Sequence, residues 1–451
     1  MPILQVREGY RLYALLSNEI DDIVMPVMDP SFVSDSFNGV PWISSAFMPS
    51  NSSRFLELPV LSGEDSGTAL MTSLSPFQRG KGIILPIIND NFAVPSIFPQ
   101  GLQVALLNAH DVMLLLQDVC PHFDSSGQHK SICTRCNHSR AFEYAMAHQA
   151  FDSIRYATIL ANKRDADKPV NIAVSPGSLI RLRIVNAASG TNFQAHIGHS
   201  VPFAEDGFRG VIVAVDGQWI RPVDVRHVEH RMWVSVGQTL DVIIQLSQQR
   251  YQSLPIMAAE EGIAYTRRVG IVLKTSDHPF PGGDRSRLKP KAERGPGLMG
   301  LSNELHYHAL HPMVVNSKDV DRHFVLHLRG GFINNEALRF DQRQSLPSDH
   351  PNRFEVSLRE RVYITFVNLE SSDGLSMTLH GHVFQVVSVN GRDVDGAKRR
   401  VVYVPSNTNM TVAFDAVNPG KWLIHCVEEF RFAAGMAATL EYAAVPRYHR
   451  R

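Results

Sequence analysis

Four residues near the end of the chain have side chains that could bind a metal ion. His425 and Cys426 are adjacent, Met436 follows ten residues after the cysteine, and His380 lies in the segment Leu-His-Gly-His at 379–382. A cysteine thiolate capped by a distant methionine is typical of copper sites for electron transfer, which also need two imidazoles in the trigonal plane. The sulfur ligands of such a site are therefore present, and its imidazoles have to be sought in the surrounding segments.

These segments resemble the last domain of the multicopper oxidases, the family of laccases, ascorbate oxidases and ferroxidases. The family motifs are His-Pro-X-His-Leu-His-Gly-His and, further along, His-Cys-His-X-X-X-His-X-X-X-X-Met. On these motifs the two imidazoles of the copper-thiolate site correspond to Leu375 and Arg431, and two further copper-binding histidines correspond to Thr378 and Val427. Neither leucine nor arginine can bind copper. The residual copper-motif positions are His380, His425, Cys426 and Met436.

The start of the chain resembles the first domain of the same family, again without its histidines. Residues 67–74, Gly-Thr-Ala-Leu-Met-Thr-Ser-Leu, occupy the place of Gly-Thr-Tyr-Trp-Tyr-His-Ser-His, with Thr72 and Leu74 at the histidine positions. No histidine precedes His110, so this part of the chain cannot donate an imidazole to a metal. The resemblance implies a three-copper cluster held by eight histidines, of which only His380 and His425 remain. We therefore expect oxygen reduction at copper to be lost.

The residues left at these positions have simpler expected roles once copper is excluded. Cys426 is predicted to be a buried, unreactive thiol, and Met436 a core residue. His380 and His425 are predicted to face each other, as a pair that could hold an ion weakly but lacks a third ligand. Arg431 is expected to form local ion pairs with the two glutamates that precede it by three and two residues, worth at most about 1 kcal/mol if they are exposed.

A second group of potential metal ligands lies in the segment of about 103–156, which matches no strand of the family. Its cysteines and histidines are arranged as Cys-Pro-His and then Cys-Thr-Arg-Cys-Asn-His. Thiolates and an imidazole at this spacing can bind zinc tetrahedrally. The alternatives are a surface insertion with free thiols and, in an exported chain, a disulfide within the second motif. The candidate zinc ligands are Cys120, His122, Cys133, Cys136 and His138.

Composition limits the class of protein and of partner. The chain has 451 residues, enough for two to four domains, and its 44 basic residues balance 44 acidic ones. This balance favours neither nucleic acid nor an anionic membrane surface as a partner. No apolar run reaches the roughly 18 residues that a membrane-spanning helix needs. The 26 prolines and 30 glycines separate short apolar runs, which indicates an all-β chain.

The resemblance implies three cupredoxin-like Greek-key β-sandwich domains with a partly helical insertion in the second. The predicted domains are residues 1–88, residues 89–275 with the insertion at about 103–156, and residues 301–451, with a linker at 276–300. The clearest strand is 179–184, where apolar residues alternate with Leu179, Arg181 and Arg183. A helix is predicted over 141–151. The first residues resemble an interior strand and no secretory signal is recognised, so the compartment stays open.

Three functions remain open on this basis. The leading hypothesis is a copper-free member of the family that acts as a binding or structural pseudo-enzyme, with no cofactor and an unidentified protein or small-molecule partner. The first alternative is a copper-dependent oxidoreductase of laccase or ferroxidase type, which uses O₂ as the acceptor and rebuilds its copper site from other ligands. The second alternative is a zinc-binding interaction protein that works through the insertion.

Overall fold

The computed structural model describes most of the chain. The described residues are 2–7, 10–28, 33–58, 67–90, 94–123, 138–148, 151, 154–198, 208–225, 232–246, 248, 253–262, 267–275, 299–301, 304–313, 319–338 and 347–443, without the side chains of 120–123 and 208–209. They form three β-sandwiches with few helices, which confirms the all-β prediction. No helix within these ranges is long and apolar enough to cross a membrane.

The first sandwich pairs a four-stranded sheet with a two-stranded sheet. In the larger sheet the order is β1-β6-β5-β3, and in the smaller one β2 pairs with β4. Strand β6 belongs to this sandwich, so the first unit extends two residues beyond the predicted end at residue 88. The strands are β1 (Leu4–Arg7), β2 (Leu12–Asn18), β3 (Pro26–Met28), β4 (Ser52–Leu58), β5 (Gly67–Ser73) and β6 (Ile84–Asp90).

The second sandwich has a six-stranded and a five-stranded sheet that enclose the largest apolar cluster. The six-stranded sheet consists, in spatial order, of β13 (Gln218–Asp224), β12 (Phe208–Val215), β15 (Thr239–Leu246), β10 (Leu179–Asn186), β7 (His110–Phe123) and β8 (Ile154–Ala161). The five-stranded sheet consists of β14 (Met232–Val234), β11 (Phe193–Ile197), β16 (Ser253–Glu260), β17 (Arg268–Lys274) and β9 (Val170–Ala173).

The prediction that the segment of about 103–156 matches no sandwich strand is wrong for residues 110–123. These residues form β7, which pairs in parallel with β10 and antiparallel with β8. Residues 112–116, Val-Met-Leu-Leu-Leu, are buried on both faces of the sheet. A strand covered on both faces has a continuous apolar run without alternation, so it does not show the period-two pattern. The predicted helix nearby is confirmed as α3 (His138–His148).

The third sandwich has a seven-stranded and a five-stranded sheet around a second apolar cluster. The larger sheet consists of β19 (Phe332–Ile333), β18 (Arg322–Arg329), β21 (Arg361–Asn368), β27 (Asn409–Asp415), β23 (Phe384–Val389) and β24 (Arg392–Asp393), with β25 (Lys398–Arg399) beside β23. The smaller sheet consists of β20 (Arg353–Val356), β29 (Ala437–Tyr442), β28 (Lys421–Cys426), β22 (Leu375–Leu379) and β26 (Val401–Val404). Of the predicted linker, only 299–300 lie within the described residues.

Short helices and shared apolar clusters connect the sandwiches. The first and third units share one cluster that includes Met25, Leu74 and Phe432. Phe77 of the first unit contacts Phe142 on α3 and Phe430, with ring centroids 5.5 and 5.2 Å apart. The three sandwiches are therefore packed on one another through side chains, not only joined along the chain. The other α-helices within the described ranges are α1 (Asp35–Asn38), α2 (Gln100–Asn108) and α4 (Glu429–Ala434).

Candidate functional site

A small cavity of about 50 Å³ lies between the first and third sandwiches. Strands β3 and β5 form one side of it, and β22 and β28 contribute residues from the other unit. The cavity brings together the two residual histidines and residues at the positions where the family motifs have histidines. These lining residues are His380, His425, Thr72, Leu74, Thr378 and Val427. The motif alignment therefore identified one spatial site.

The two residual histidines lie in direct contact, as the sequence predicted. The Nε2 atoms of His380 and His425 are 2.9 Å apart and the rings are nearly perpendicular. Nδ1 of His380 faces the carbonyl oxygen of Asn38 at 2.9 Å, and Nδ1 of His425 faces that of Cys426 at 2.6 Å. A carbonyl oxygen only accepts, so each Nδ1 carries the ring proton and both Nε2 lone pairs face each other. This contact is attractive only with a proton or a cation between the nitrogens.

Burial makes a proton between these rings unfavourable at neutral pH. It lowers the pKa of His380 to about 4, and burial and the neighbouring His380 lower the pKa of His425 well below its usual range. A cation would find two nitrogen donors here, which is half of a tetrahedral set. The pair alone would therefore bind an ion only weakly.

Three of the residues aligned to the copper-thiolate site lie in the apolar core of the third sandwich. Cys426 is a free, fully buried thiol, and Met436 and Leu375 lie in the same cluster without exposure. The backbone N–H of Cys426 donates to the carbonyl oxygen of Met436 over 3.1 Å, which keeps the two strand ends together. Burial raises the pKa of the Cys426 thiol well above its usual range, so the sulfur is a neutral thiol. The predicted roles of Cys426 and Met436 as core residues are confirmed.

The predicted local ion pair with Glu428 is present, but Arg431 is buried rather than exposed. Its side chain is only 5% exposed, and its guanidinium bonds to three carboxylates, those of Glu428, Glu370 and Asp373. Glu429 does not take part, because its Oε1 accepts the backbone N–H of Arg79 instead. Arg431 lies on α4, which turns its side chain inward beneath the loop at 370–373. A fixed cation with its own carboxylates thus stands at the position aligned to a copper ligand.

Of the five zinc candidates, the structure describes the side chain of His138 alone. Cys133 and Cys136 lie outside the described residues, and Cys120 and His122 lie on β7 with side chains that are not described. His138 begins α3 and its buried Nε2 has no hydrogen-bond partner. Ser189 Oγ and Glu429 Oε2 lie near the same point beside Gly80. The zinc hypothesis therefore stays a prediction.

Two arginines at the cavity were missed by the sequence analysis. Arg79 and Arg400 both line it and are 6% and 4% exposed. Neither belongs to a family motif, and each comes from a different sandwich. The signal that could have indicated Arg79 is its place five residues after the replaced histidine at Leu74.

The donor set at these positions does not fit the copper ions that the resemblance implies. Within the described part of the chain, no three histidine, cysteine, aspartate or glutamate side chains are grouped so that they could hold a metal ion. The cavity is lined by three imidazoles and two cationic side chains, but both nitrogens of His382 are engaged, by the His380 carbonyl oxygen and the Tyr442 hydroxyl. The thiol lacks both of its imidazole partners. Soft and borderline metals need thiolate or imidazole ligands, which guanidinium and aliphatic groups cannot replace.

Two family models, both described as multicopper oxidase, match residues 136–269 and 322–444. Together these matches cover more than half of the 451 residues. The chain belongs to the multicopper oxidase family. The match at 322–444 includes every residual copper-motif position of this family member, from His380 to Met436.

Curated relatives of this multicopper oxidase family member include multicopper oxidase MmcO of Mycobacterium tuberculosis, which is 25% identical over 64% of this chain and 51% of its own length. Laccase-2 of Fomitopsis schrenkii is 31% identical over 21% of this chain and 19% of its own length. The chain thus spans about half the length of the curated relatives that it matches most extensively.

Solved structures of the family share the fold. The multicopper oxidase Fet3p, described as functioning in iron import, has a TM-score of 0.71 at 15% identity and aligns with 98% of this chain and 84% of its own. The laccase of Botrytis aclada has a TM-score of 0.72 at 17% identity, with 97% of this chain and 81% of its own aligned. At this identity the likeness shows the cupredoxin-like sandwich architecture alone.

Proposed function

We propose that this family member is a copper-free pseudo-enzyme that acts as a binding protein. The observation that carries the proposal is that guanidinium groups stand where both copper sites would need neutral imidazoles. Arg431 occupies an aligned imidazole position near Cys426, and Arg79 and Arg400 line the cavity in which other aligned histidine positions are occupied by Thr72, Leu74, Thr378 and Val427. Like charges in a buried, low-dielectric site repel strongly, so the two arginines of the cavity oppose entry of a cation, while Arg431 supplies no lone pair for a metal. The sandwiches themselves do not depend on copper, because their cores are continuous apolar clusters.

A larger cavity, of about 510 Å³, supplies a site for a small-molecule partner. It lies where α3 and α4 meet the first sandwich, and it is lined mainly by apolar side chains with one carboxylate, Asp22. Cavities of roughly 300 to 1,000 Å³ with such linings suit drug-sized apolar ligands. We infer an aromatic or aliphatic ligand for it. The aromatic and sulfur-containing lining residues are Met25, Trp42, Phe142, Met146 and Phe432.

Metal analysis after reconstitution with copper tests the copper-free state. We expect well under one copper per chain, no blue absorption band, and no oxygen uptake with phenols or ferrous iron. Stoichiometric copper together with oxygen uptake would overturn the proposal.

Binding of an apolar fluorescent dye, a naphthalene sulfonate, tests the larger cavity. Ala433→Phe places a ring in the cavity, so we expect it to weaken dye binding at least about tenfold, the loss of roughly 1.4 kcal/mol. Val417→Phe adds the same ring at an exposed position and is the matched control. Equal dye affinities for the two variants would show that the dye does not bind in this cavity.

One observation favours the copper-dependent alternative, an oxidoreductase with O₂ as acceptor. The facing Nε2 lone pairs of His380 and His425 are the arrangement that a shared cation would stabilise. This alternative predicts that the protein binds copper, that His425→Gln loses it, and that His323→Gln retains it. His323 is the control because it is exposed. The zinc alternative predicts zinc that is lost when Cys133 and Cys136 are changed to serine.

A further inference from the structure

Arg79 is a buried cation that forms no ion pair with any described carboxylate. Its Nη1 donates to the carbonyl oxygens of Ala188 and Val427 over 3.3 and 3.1 Å, and its Nε has no partner. Glu429 is close enough for its charge to interact with that of Arg79, but its Oε1 accepts the backbone N–H of Arg79 and not the guanidinium, and burial raises the pKa of Glu429. A buried charge that is only partly compensated is costly. The guanidinium of Arg79 can therefore gain from a further negative charge.

The cavity that Arg79 lines has the composition of an anion site. Arg400 stands on its wall from the third sandwich, while the backbone N–H of Arg400 bonds to Asp216 Oδ2 over 3.2 Å. Among the described residues that line the cavity there is no aspartate or glutamate. Asn38, Thr72 and Thr378 add neutral polar groups. Electrostatic attraction to an anion is strong in such a place because little water screens it.

The size of the cavity limits the ligand. One water needs roughly 10 to 15 Å³ of such space, so about 50 Å³ holds a few water molecules or one small ion. We propose that this cavity, at the place of the family's copper cluster, binds a small monovalent anion of the size of chloride. Through Arg79 and Arg400, the site favours an anion, whereas the family's cluster holds copper cations. This inference rests on the proposed copper-free state.

Chloride-35 NMR tests the anion site on the full chain, with the metal content measured on the same sample. We expect excess line broadening in the wild type that nitrate reverses by competition. Arg79→Met should lose more than half of it, Arg79→Lys should keep part of it because the charge remains, and Arg221→Met should match the wild type. Arg221 is the control because it is an exposed arginine in an exposed ion pair and does not line the cavity.

Equal broadening in folded Arg79→Met and in the wild type would overturn the anion site. If Arg79→Met does not fold, wild-type crystals soaked in bromide decide: an anomalous peak in the cavity supports the site, and an empty cavity overturns it. Copper at one or more ions per chain would instead overturn the copper-free state, so the two failures are distinguishable.

Discussion

At the scale of single residues, Arg431 stands at the position aligned to a copper-binding histidine and is part of the stabilising structure. Its guanidinium holds three carboxylates, and burial raises the pKa of one of them, Glu428, to about 7 despite the pair with Arg431. Removing one partner of a buried ion pair leaves charges without compensation, which costs more than the pair itself contributes. The arginine has thereby become hard to replace, even by the histidine of the family motif.

We expect Arg431→Met to lower the free energy of unfolding by about 3 to 5 kcal/mol, because it removes the cation that the carboxylates of Glu428, Glu370 and Asp373 share. Urea unfolding followed by circular dichroism measures the change. The control, Arg221→Met, removes an exposed ion pair and should cost at most about 1 kcal/mol. Similar losses in the two variants would contradict the buried network.

At the scale of elements, the turn after β22 shows why the family's Gly-His remains although its copper ligands do not. Gly381 has φ +73°, and a Cβ there would lie 2.5 Å from the Trp422 ring. His382 fills the space beyond this turn, with Nδ1 donating to the carbonyl oxygen of His380 and Nε2 2.7 Å from the Tyr442 hydroxyl. The motif is thus retained by packing and hydrogen bonding, independently of metal.

We expect Gly381→Ala to destabilise the protein by about 2 to 4 kcal/mol, because it adds overpacking to backbone strain. The matched control is Gly391→Ala, which has a similar φ of +75° but open space around the added Cβ. This control isolates the strain term, about 1 kcal/mol. Thermal unfolding of both variants measures the difference, and equal losses would refute close contact with Trp422.

Strand β7 shows which features the sequence could predict and which it could not. The alternation at 179–184 and the order of the motifs predicted the sandwiches, because a half-buried strand shows its period in the sequence. Residues 112–116 have no such period, since both faces are covered. The cavity arginines were not predictable either, because Arg79 and Arg400 meet only after two sandwiches pack together.

We expect Leu114→Ala to lower stability by about 2 to 5 kcal/mol, since Leu114 is fully buried at the centre of β7. Leu107→Ala, on the exposed face of α2, should change it by less than about 0.5 kcal/mol. Denaturant unfolding compares the two. If Leu114→Ala leaves the free energy of unfolding unchanged, the segment is a surface insertion and not a core strand.

At the scale of the whole molecule, polar contacts add to the apolar clusters that join the sandwiches. Thr68 on β5 donates from Oγ1 to Asp241 Oδ1 over 2.7 Å, and Arg183 Nη1 donates to the same hydroxyl over 3.1 Å. Asp241 is fully buried and also pairs with Arg181 and Arg183, whose charges lower its pKa against the effect of burial. A first-unit hydroxyl therefore completes a buried charge network of the second unit.

This coupling predicts a single cooperative unfolding transition for the chain. Tryptophan fluorescence reports on all three units through Trp42, Trp219 and Trp422, and it should change together with far-ultraviolet circular dichroism. Thr68→Val keeps the shape but leaves Asp241 Oδ1 without this donor, so we expect it to lower stability by about 1 to 3 kcal/mol and to move both transitions equally. Two separate transitions, of which Thr68→Val shifts only that of the first unit, would contradict this coupling. The contacts of the first unit with the second and third sandwiches would then contribute little to stability.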